Sequence, residues 1–551
     1  MTPTRNRICL QQTSLSASQK FLCKQVTAGF RFLWRGTLRY CCISFVLFAV
    51  MGTAHAQNQT STFSPVTRWD GNYRIEVKAR PMGSVLMPGL QSFASGQVGD
   101  QWVIVAGKTG GMHSFTTGNR SAWVIDPVSK QVWSRSLDDP LSGLSQHTVN
   151  GLSSSNPQAY QRGNTLFVTG GYVYETTNDK FTTYNDLTAI DLPELIDWVK
   201  SPGSQMQSNT ILQAAGGLGD GTDYEGGLFQ VTGGGMYEIN GKTHIVFGQM
   251  FEGPYDPNQS YQKYTSQVRS FEIDYDHAAG ALGYDSSTVS PAGGDPTQFR
   301  RRDLNTFQVL SKDTQGDDVM SGVALSGVFF EGEGIWTVPV EISADGVPSM
   351  VDPTTDPAVF KQAMNGYECA KLGLYSSDLG EMTEILFGGI TANEFIDDPA
   401  SGNLRYDEKF PFTNQISAVS IASDGTYSQS YLGDFPDVIS PQGTPYLFGS
   451  NAEFFVSSDL SSLLEGDIID VDALSERTQL GFIYGGIAAA TPHGGFGGDS
   501  IASSQVFDVW YQPVPEPSTL LVWSILGAVG LMLRRFRGAL RFMPSHVGRE
   551  R

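Results

Sequence analysis

The chain carries 56 acidic against 36 basic residues over 551 positions, a formal charge of −20. Repulsion on that scale argues against nucleic acid and anionic membrane surfaces as partners, and leaves divalent cations, cationic proteins and neutral glycans open. With 62 glycines, 11% aromatic and 17% charged residues, the composition suits many short strands joined by tight turns and excludes a long-helix architecture.

The first 39 residues hold seven basic side chains, from Arg5 to Arg39, and no acidic one. An apolar run from Tyr40 to Met51 follows, then Ala54-His55-Ala56, with Gln57 as the expected new N-terminus. A charged n-region, a short apolar core and a small-x-small site predict a secretory signal peptide over residues 1–56, with cleavage read by Ala54 and Ala56. Cys9, Cys23, Cys41 and Cys42 fall inside it, so Cys369 is alone in the exported body, which has no internal disulfide to hold it and must rely on its core.

Residues 57–90 read as an entry segment with one strand, Tyr73 to Val77. The body proper spans 91–513. Gln101 to Gly107, Ser121 to Pro127 and Gln131 to Ser134 describe a strand ending in glycine, a loop, a strand ending in aspartate and a strand bearing tryptophan. Asn164 to Tyr172 with Tyr184 to Leu192 and Trp198 repeats that order, and Lys242 to Gly248 with Thr265 to Ile273 repeats it again. Weaker echoes are Gly322 to Gly327 with Gly334 to Val338, Thr383 to Ile390 with Asn414 to Val419, and Tyr446 to Gly449 and Gly481 to Ile487, closed by Ser504 to Trp510. Short helices are expected only at Leu192 to Val199, Asp356 to Met364 and Ser457 to Leu464.

These units resemble kelch repeats, with an apolar strand into Gly-Gly, a loop, an Asn-Asp-Leu-x-x-Ile-Asp strand and a tryptophan; residues 164–198 match best. The resemblance implies an all-β fold, a kelch-like β-propeller of six to seven blades over 91–513, against a rival reading as a β-sandwich or two β-domains. Kelch-type propellers include galactose oxidase, whose copper site uses two tyrosines, two histidines and a cysteine linked to one tyrosine. No such set can be assembled around Cys369, which reads as a buried, inert thiol.

The histidines of the body, His113, His147, His244, His277 and His493, are dispersed and match no zinc spacing, so no metal site and no catalytic residue is assigned. Gly216 to Gly221 lacks the lysine of a phosphate-binding loop. Acidic turns at Asp274 to Asp276, Asp313 to Asp318 and Asp467 to Asp472 offer oxygens of the kind calcium takes, but none has EF-hand spacing, so no cofactor is expected. His493, in a glycine-rich loop, reads as a connection between strands.

The tail is the most specific stretch. Val514, Pro515, Glu516 and Pro517 form a rigid extended motif, since each proline ring fixes its own φ and drives the preceding residue out of the helical region. An uncharged apolar run, 518–533, is slightly short of the roughly 20 residues of an ordinary spanning helix. Arg534, Arg535 and Arg537, then Arg541, would hold that end in the cytoplasm, followed by a short tail, 542–551. This order resembles the PEP-CTERM sorting signal of Gram-negative bacteria, here residues 514–541, and implies processing by an exosortase-type membrane enzyme.

Losing residues 1–56 would remove seven basic groups, and losing 514–551 six basic and two acidic ones, leaving a body with 23 basic and 54 acidic residues, a formal −31. The expectation is an exported protein that passes through an inner-membrane intermediate to the cell surface or extracellular matrix, where its loops bind glycan or protein partners. The alternatives are a secreted carbohydrate-active enzyme and a structural matrix component.

Overall fold

The computed structural model describes residues 63–514 apart from 115–117, 223, 257, 294–296, 331–333 and 495–498. The signal segment with Ala54 and Ala56, the motif residues Pro515, Glu516 and Pro517, the apolar run and the arginines Arg534, Arg535 and Arg537 lie outside the described residues. Among the described residues no helix is long and apolar enough to cross a membrane.

The body is all-β: six of its sheets share a four-stranded antiparallel arrangement, and a further four-stranded sheet is formed by Val438–Ile439, Pro445–Phe448, Ile487–Ala489 and Ser500–Ala502. In chain order the first strands of the six are Ala94–Val98, Gln158–Arg162, Gly235–Ile239, Asn305–Lys312, Ala370–Ser376 and Ala452–Val456. The sixth sheet takes three strands from the end of the chain and its fourth, Tyr73–Arg80, from the beginning. That strand pairs antiparallel with Val506–Pro513 over eight residues, Tyr73 opposite Pro513 and Arg80 opposite Val506. Just ahead of it, Val66–Arg68 runs parallel to Gln429–Tyr431 at the edge of the fifth sheet. Residues 66–80 are therefore built into two sheets of the body.

Each first strand lies against the first strand of the next sheet, from the first sheet through to the sixth. The sixth also meets the first: the Trp102 ring stacks on Phe455 at 4.3 Å, and Gln97 Nε2 donates to the Val456 carbonyl at 2.8 Å. Separate apolar clusters fill the spaces between neighbours. One example is Val103, Val124, Leu166 and Ile190 between the first and second sheets; another is Ile385, Phe387, Phe448 and Phe507 between the fifth and sixth. Burial of this kind is the main favourable term in folding.

The glycine signal has a common conformational origin. Every second strand ends in two consecutive left-handed residues: Ala106–Gly107, Gly170–Gly171, Phe247–Gly248, Ser326–Gly327, Gly388–Gly389 and Gly485–Gly486 all have positive φ. A Cβ at Gly170 would stand 2.0 Å from the Val231 carbonyl oxygen, which permits only glycine there.

Of the three expected helices, one forms. Leu192–Lys200 is an α-helix capped by Asp191, whose side chain accepts from the Glu194 amide, and it buries Leu195, Ile196, Trp198 and Val199. Asp356 to Met364 and Ser457 to Leu464 are instead turns and irregular chain. In the first, Pro357 follows directly, and the Asp352 and Asp356 carboxylates take the amides of Thr354 and Ala358, fixing turns in place of a helix. A second short helix, Gln146–Gly151, is capped by Ser145 and too short to show periodicity in sequence.

One buried group in this core makes a pH prediction. Glu384, in the strand Glu381–Phe387, is 1% exposed, and neither carboxylate oxygen has a hydrogen-bond partner. Burial raises its pKa well above the ordinary 4.5, with Lys371 only partly opposing. A carboxyl raised in the folded state stabilises most fully below the ordinary carboxylate range, and that contribution is lost as pH rises toward the folded value. Glu384→Gln is therefore expected to melt higher than the wild type at pH 8 and to show a flatter decline in Tm between pH 4.5 and 8. Parallel declines in the two proteins would refute this assignment.

Candidate functional site

A residue one or two positions ahead of each first strand adopts the left-handed conformation: Ser92, Asn156, Gly233, Asp303, Glu368 and Asn451 have φ of 56°, 49°, 65°, 48°, 49° and 64°. Their backbones bond to one another from sheet to sheet. Asn156 N donates to Ser92 O at 3.0 Å, Gly233 N to Asn156 O at 3.1 Å, Asp303 N to Gly233 O at 2.7 Å, Asn451 N to Glu368 O at 2.5 Å and Ser92 N to Asn451 O at 3.3 Å. These six residues form the floor of a cavity of about 930 Å³.

The side chains on that floor form one polar cluster. Asn451 Nδ2 donates to Asn156 Oδ1 at 3.0 Å, and Asn156 Nδ2 reaches Glu368 Oε2 at 3.4 Å and Asp303 Oδ1 at 3.5 Å. Asp303 and Glu368 thus adjoin across the Asn156 amide. Burial raises the pKa of both carboxyls; Arg302 pulls Asp303 back down, whereas the charge of Asp303 pushes Glu368 further up. Two adjoining carboxyls cannot both ionise cheaply, so the charge of one opposes ionisation of the other. Arg302 Nε stands 3.4 Å from Asp303 Oδ2.

The walls come from the connections between second and third strands, which carry hairpins such as Tyr172–Glu175 with Lys180–Thr183 and Gln249–Glu252 with Tyr261–Tyr264. These two hairpins, with the residues that follow the first strand of the second, contribute a continuous aromatic face. Tyr172 stacks on Phe181 at 5.6 Å and meets Phe251 edge-on at 5.2 Å. Phe251 stacks on Tyr255 at 5.4 Å, and Tyr255 faces the His113 ring at 4.8 Å. All five rings line the cavity. Burial, with the charges of Lys108 and Arg302, lowers the His113 pKa to about 4, so its imidazole is neutral at physiological pH.

The structure brings together some of the sequence candidates and separates others. His113 and His493 both line the cavity; His493 Nε2 pairs with Asp407 Oδ2 at 3.0 Å at its mouth. His147 pairs with Asp186, His277 with Glu194, and His244 lies in the core against Ser270 Oγ at 2.8 Å. Cys369 is buried, and burial pushes its thiol up to about 12, as an inert thiol should behave. Its neighbours Tyr367 and Glu368, by contrast, line the cavity. Among the described residues no three His, Cys, Asp or Glu side chains converge to hold a metal ion. In the turn Asp313 to Asp318 the Asp313 carboxylate accepts from the Gln315 and Asp317 amides, and Asp472 accepts from Ser376 Oγ and the Asp378 amide. Val514, the one described residue of the expected sorting motif, donates its amide to Asn72 O at 2.7 Å.

No family model and no curated protein matches the chain. Among solved structures, one described as the structure of YjhT is similar at 12% identity, over 76% of this chain and 94% of that one, with a TM-score of 0.38.

Proposed function

We propose that this is an exported cell-envelope protein that binds glycan in the cavity floored by Asn156, Asp303, Glu368 and Asn451. The six sheets are read as six blades of a kelch-like propeller, closed by the strand Tyr73–Arg80. The succession of first-strand contacts, the Trp102–Phe455 stack and the backbone bonds among the six floor residues support that reading. The tail, read as a PEP-CTERM signal, would deliver the body to an exosortase-type enzyme and then to the surface or matrix.

The single observation that carries the binding proposal is an aromatic face opposite a hydrogen-bonding floor in one cavity. A sugar ring presents an apolar face of C–H groups and an edge of hydroxyls, and a few placed polar groups within apolar walls are the usual makeup of a small-molecule site. A second reading, a carbohydrate-active enzyme, is favoured by the paired carboxyls. The two carboxyls adjoin on the floor, both reached by the Asn156 amide. In an enzyme the pair would therefore act as one acid–base unit.

The test is a glycan array with the full-length protein in detergent. Tyr255 is 40% exposed, so Tyr255→Ala leaves the core intact while removing the inner end of the aromatic face. The variant is expected to lose about tenfold or more in affinity for any glycan the wild type binds. Unchanged affinity would place the glycan elsewhere.

A further inference from the structure

We propose that the ligand of this cavity is anionic, a sugar unit bearing a carboxylate or a sulfate ester whose negative group seats against Lys108. This inference rests on the glycan-binding reading. The protein as a whole is strongly acidic, with 56 acidic and 36 basic residues, and its cavity is the reverse. The lysines and arginines lining it are Lys108, Arg120, Arg302 and Lys409, against the carboxyls Asp303 and Glu368. Those two carboxyls adjoin on the floor, where the charge of Asp303 opposes ionisation of Glu368.

The cations differ in what already satisfies them. Arg120 is held by Asp138 at 2.7 Å and by Asn150 Oδ1 at 3.0 Å. Arg302 lies against Asp303. Lys108 is half-buried where its backbone bridges Gln91 and Gly118, and among the described residues no carboxylate lies within ion-pair distance of its amine. Burial lowers its pKa to about 8, so this partly desolvated ammonium has no carboxylate paired with it. Such a group gains strongly from an anion that enters with its own hydrogen-bonding oxygens. Lys409, exposed at the rim, would draw an anionic chain toward the mouth, whereas the rest of the acidic surface repels it. A neutral sugar would satisfy the floor and the aromatic face and leave Lys108 uncompensated.

The experiment is calorimetric titration of the full-length protein with three oligosaccharides of one length, a neutral galactan, a galacturonan and a sulfated galactan. At least one acidic chain is expected to bind about tenfold or more tightly than the neutral one, and to weaken with added salt as the neutral one does not. Lys108→Met, matched to the wild type by thermal melting, is expected to abolish that preference, and Lys108→Arg to keep it. Lys409→Met, at an exposed site that cannot disturb folding, is expected to reduce the salt dependence only. Loss of the carboxylated chain alone, or of the sulfated chain alone, on Lys108→Met names the anionic group. Equal affinity for neutral and acidic chains would overturn this inference and leave glycan binding standing; binding of none of the three would overturn both.

Discussion

Deletion of residues 63–80 is expected to abolish cooperative unfolding of the body. The strand Tyr73–Arg80 supplies the fourth strand of the sixth sheet through an eight-residue ladder to Val506–Pro513. Tyr73 is 5% exposed and packs its ring on Tyr511 at 5.3 Å. Arg80 Nη1 meets Asp508 Oδ1 at 2.8 Å and its guanidinium lies 5.2 Å from the Phe482 ring centroid. The same deletion strips Val66–Arg68 from the fifth sheet. A domain is stable by only about 5–15 kcal/mol, and losing two strands with their buried rings exceeds that margin. The exposed Val506–Pro513 edge would also invite aggregation. A transplant separates loss of this strand's pairing from mere truncation. Because the Val514 amide bonds to Asn72 O, residues 72–80 inserted after Val514 through an Asn-Gly turn can fold back along the same edge. That chain is expected to recover a single unfolding transition; a deletion variant that melts as the wild type does would refute the role of the strand.

Trp102→Ala is expected to cost about 3–5 kcal/mol in urea unfolding, the range for a large aromatic removed from a packed core. Trp102 is fully buried where the first sheet meets the sixth. Phe455 stacks on it at 4.3 Å and an interplanar angle of 15°, Phe482 meets it edge-on at 5.4 Å, and Tyr484 lies 6.0 Å away. Tyr484 is itself fixed by a hydrogen bond to the Pro88 carbonyl at 2.5 Å. The hole left by the indole thus has rigid walls that cannot collapse. Trp102 Nε1 has no hydrogen-bond partner, so Trp102→Phe discards an unsatisfied donor and is expected to cost much less than the alanine. A loss below about 1 kcal/mol for Trp102→Ala, as at an ordinary surface site, would mean that the two sheets are not packed together.

The sequence exposes one half of each sheet and hides the other. Second and third strands are readable because they are buried and end in special turns: Thr165–Thr169 and Asp186–Asp191 both coincide with the best kelch-like unit. The count of units is obscured because only the second position of the left-handed pair after each second strand is glycine in all six sheets. Ala106, Phe247 and Ser326 fill the first position in three sheets, and there the Gly-Gly mark disappears. Fourth strands such as Ala281–Ser290 are largely exposed and carry no apolar alternation for a reader to find. The cavity floor was illegible for a related reason. Ser92, Asn156, Gly233, Asp303, Glu368 and Asn451 share a backbone conformation and not a residue type. Asn and Asp tolerate positive φ, but Glu368 does not announce it. The pairing of Asp303 with Glu368 exists only once the fourth and fifth sheets are neighbours. The signal-peptide and sorting readings depend on order and charge along the chain and fall on residues outside the described ones.

Hydrogen–deuterium exchange on the full-length protein, with and without a saturating glycan ligand, tests the central claim most directly. Ligand in the cavity is expected to slow exchange in Ser153 to Asn156 on the floor and in Tyr172 to Thr183 and Gln249 to Tyr255 along the aromatic face, all of which contribute to its lining. The outer strand Ala281–Ser290 should exchange as before. Protection confined to outer strands or surface turns, with those three segments unchanged, would contradict a glycan site at the centre of the six sheets.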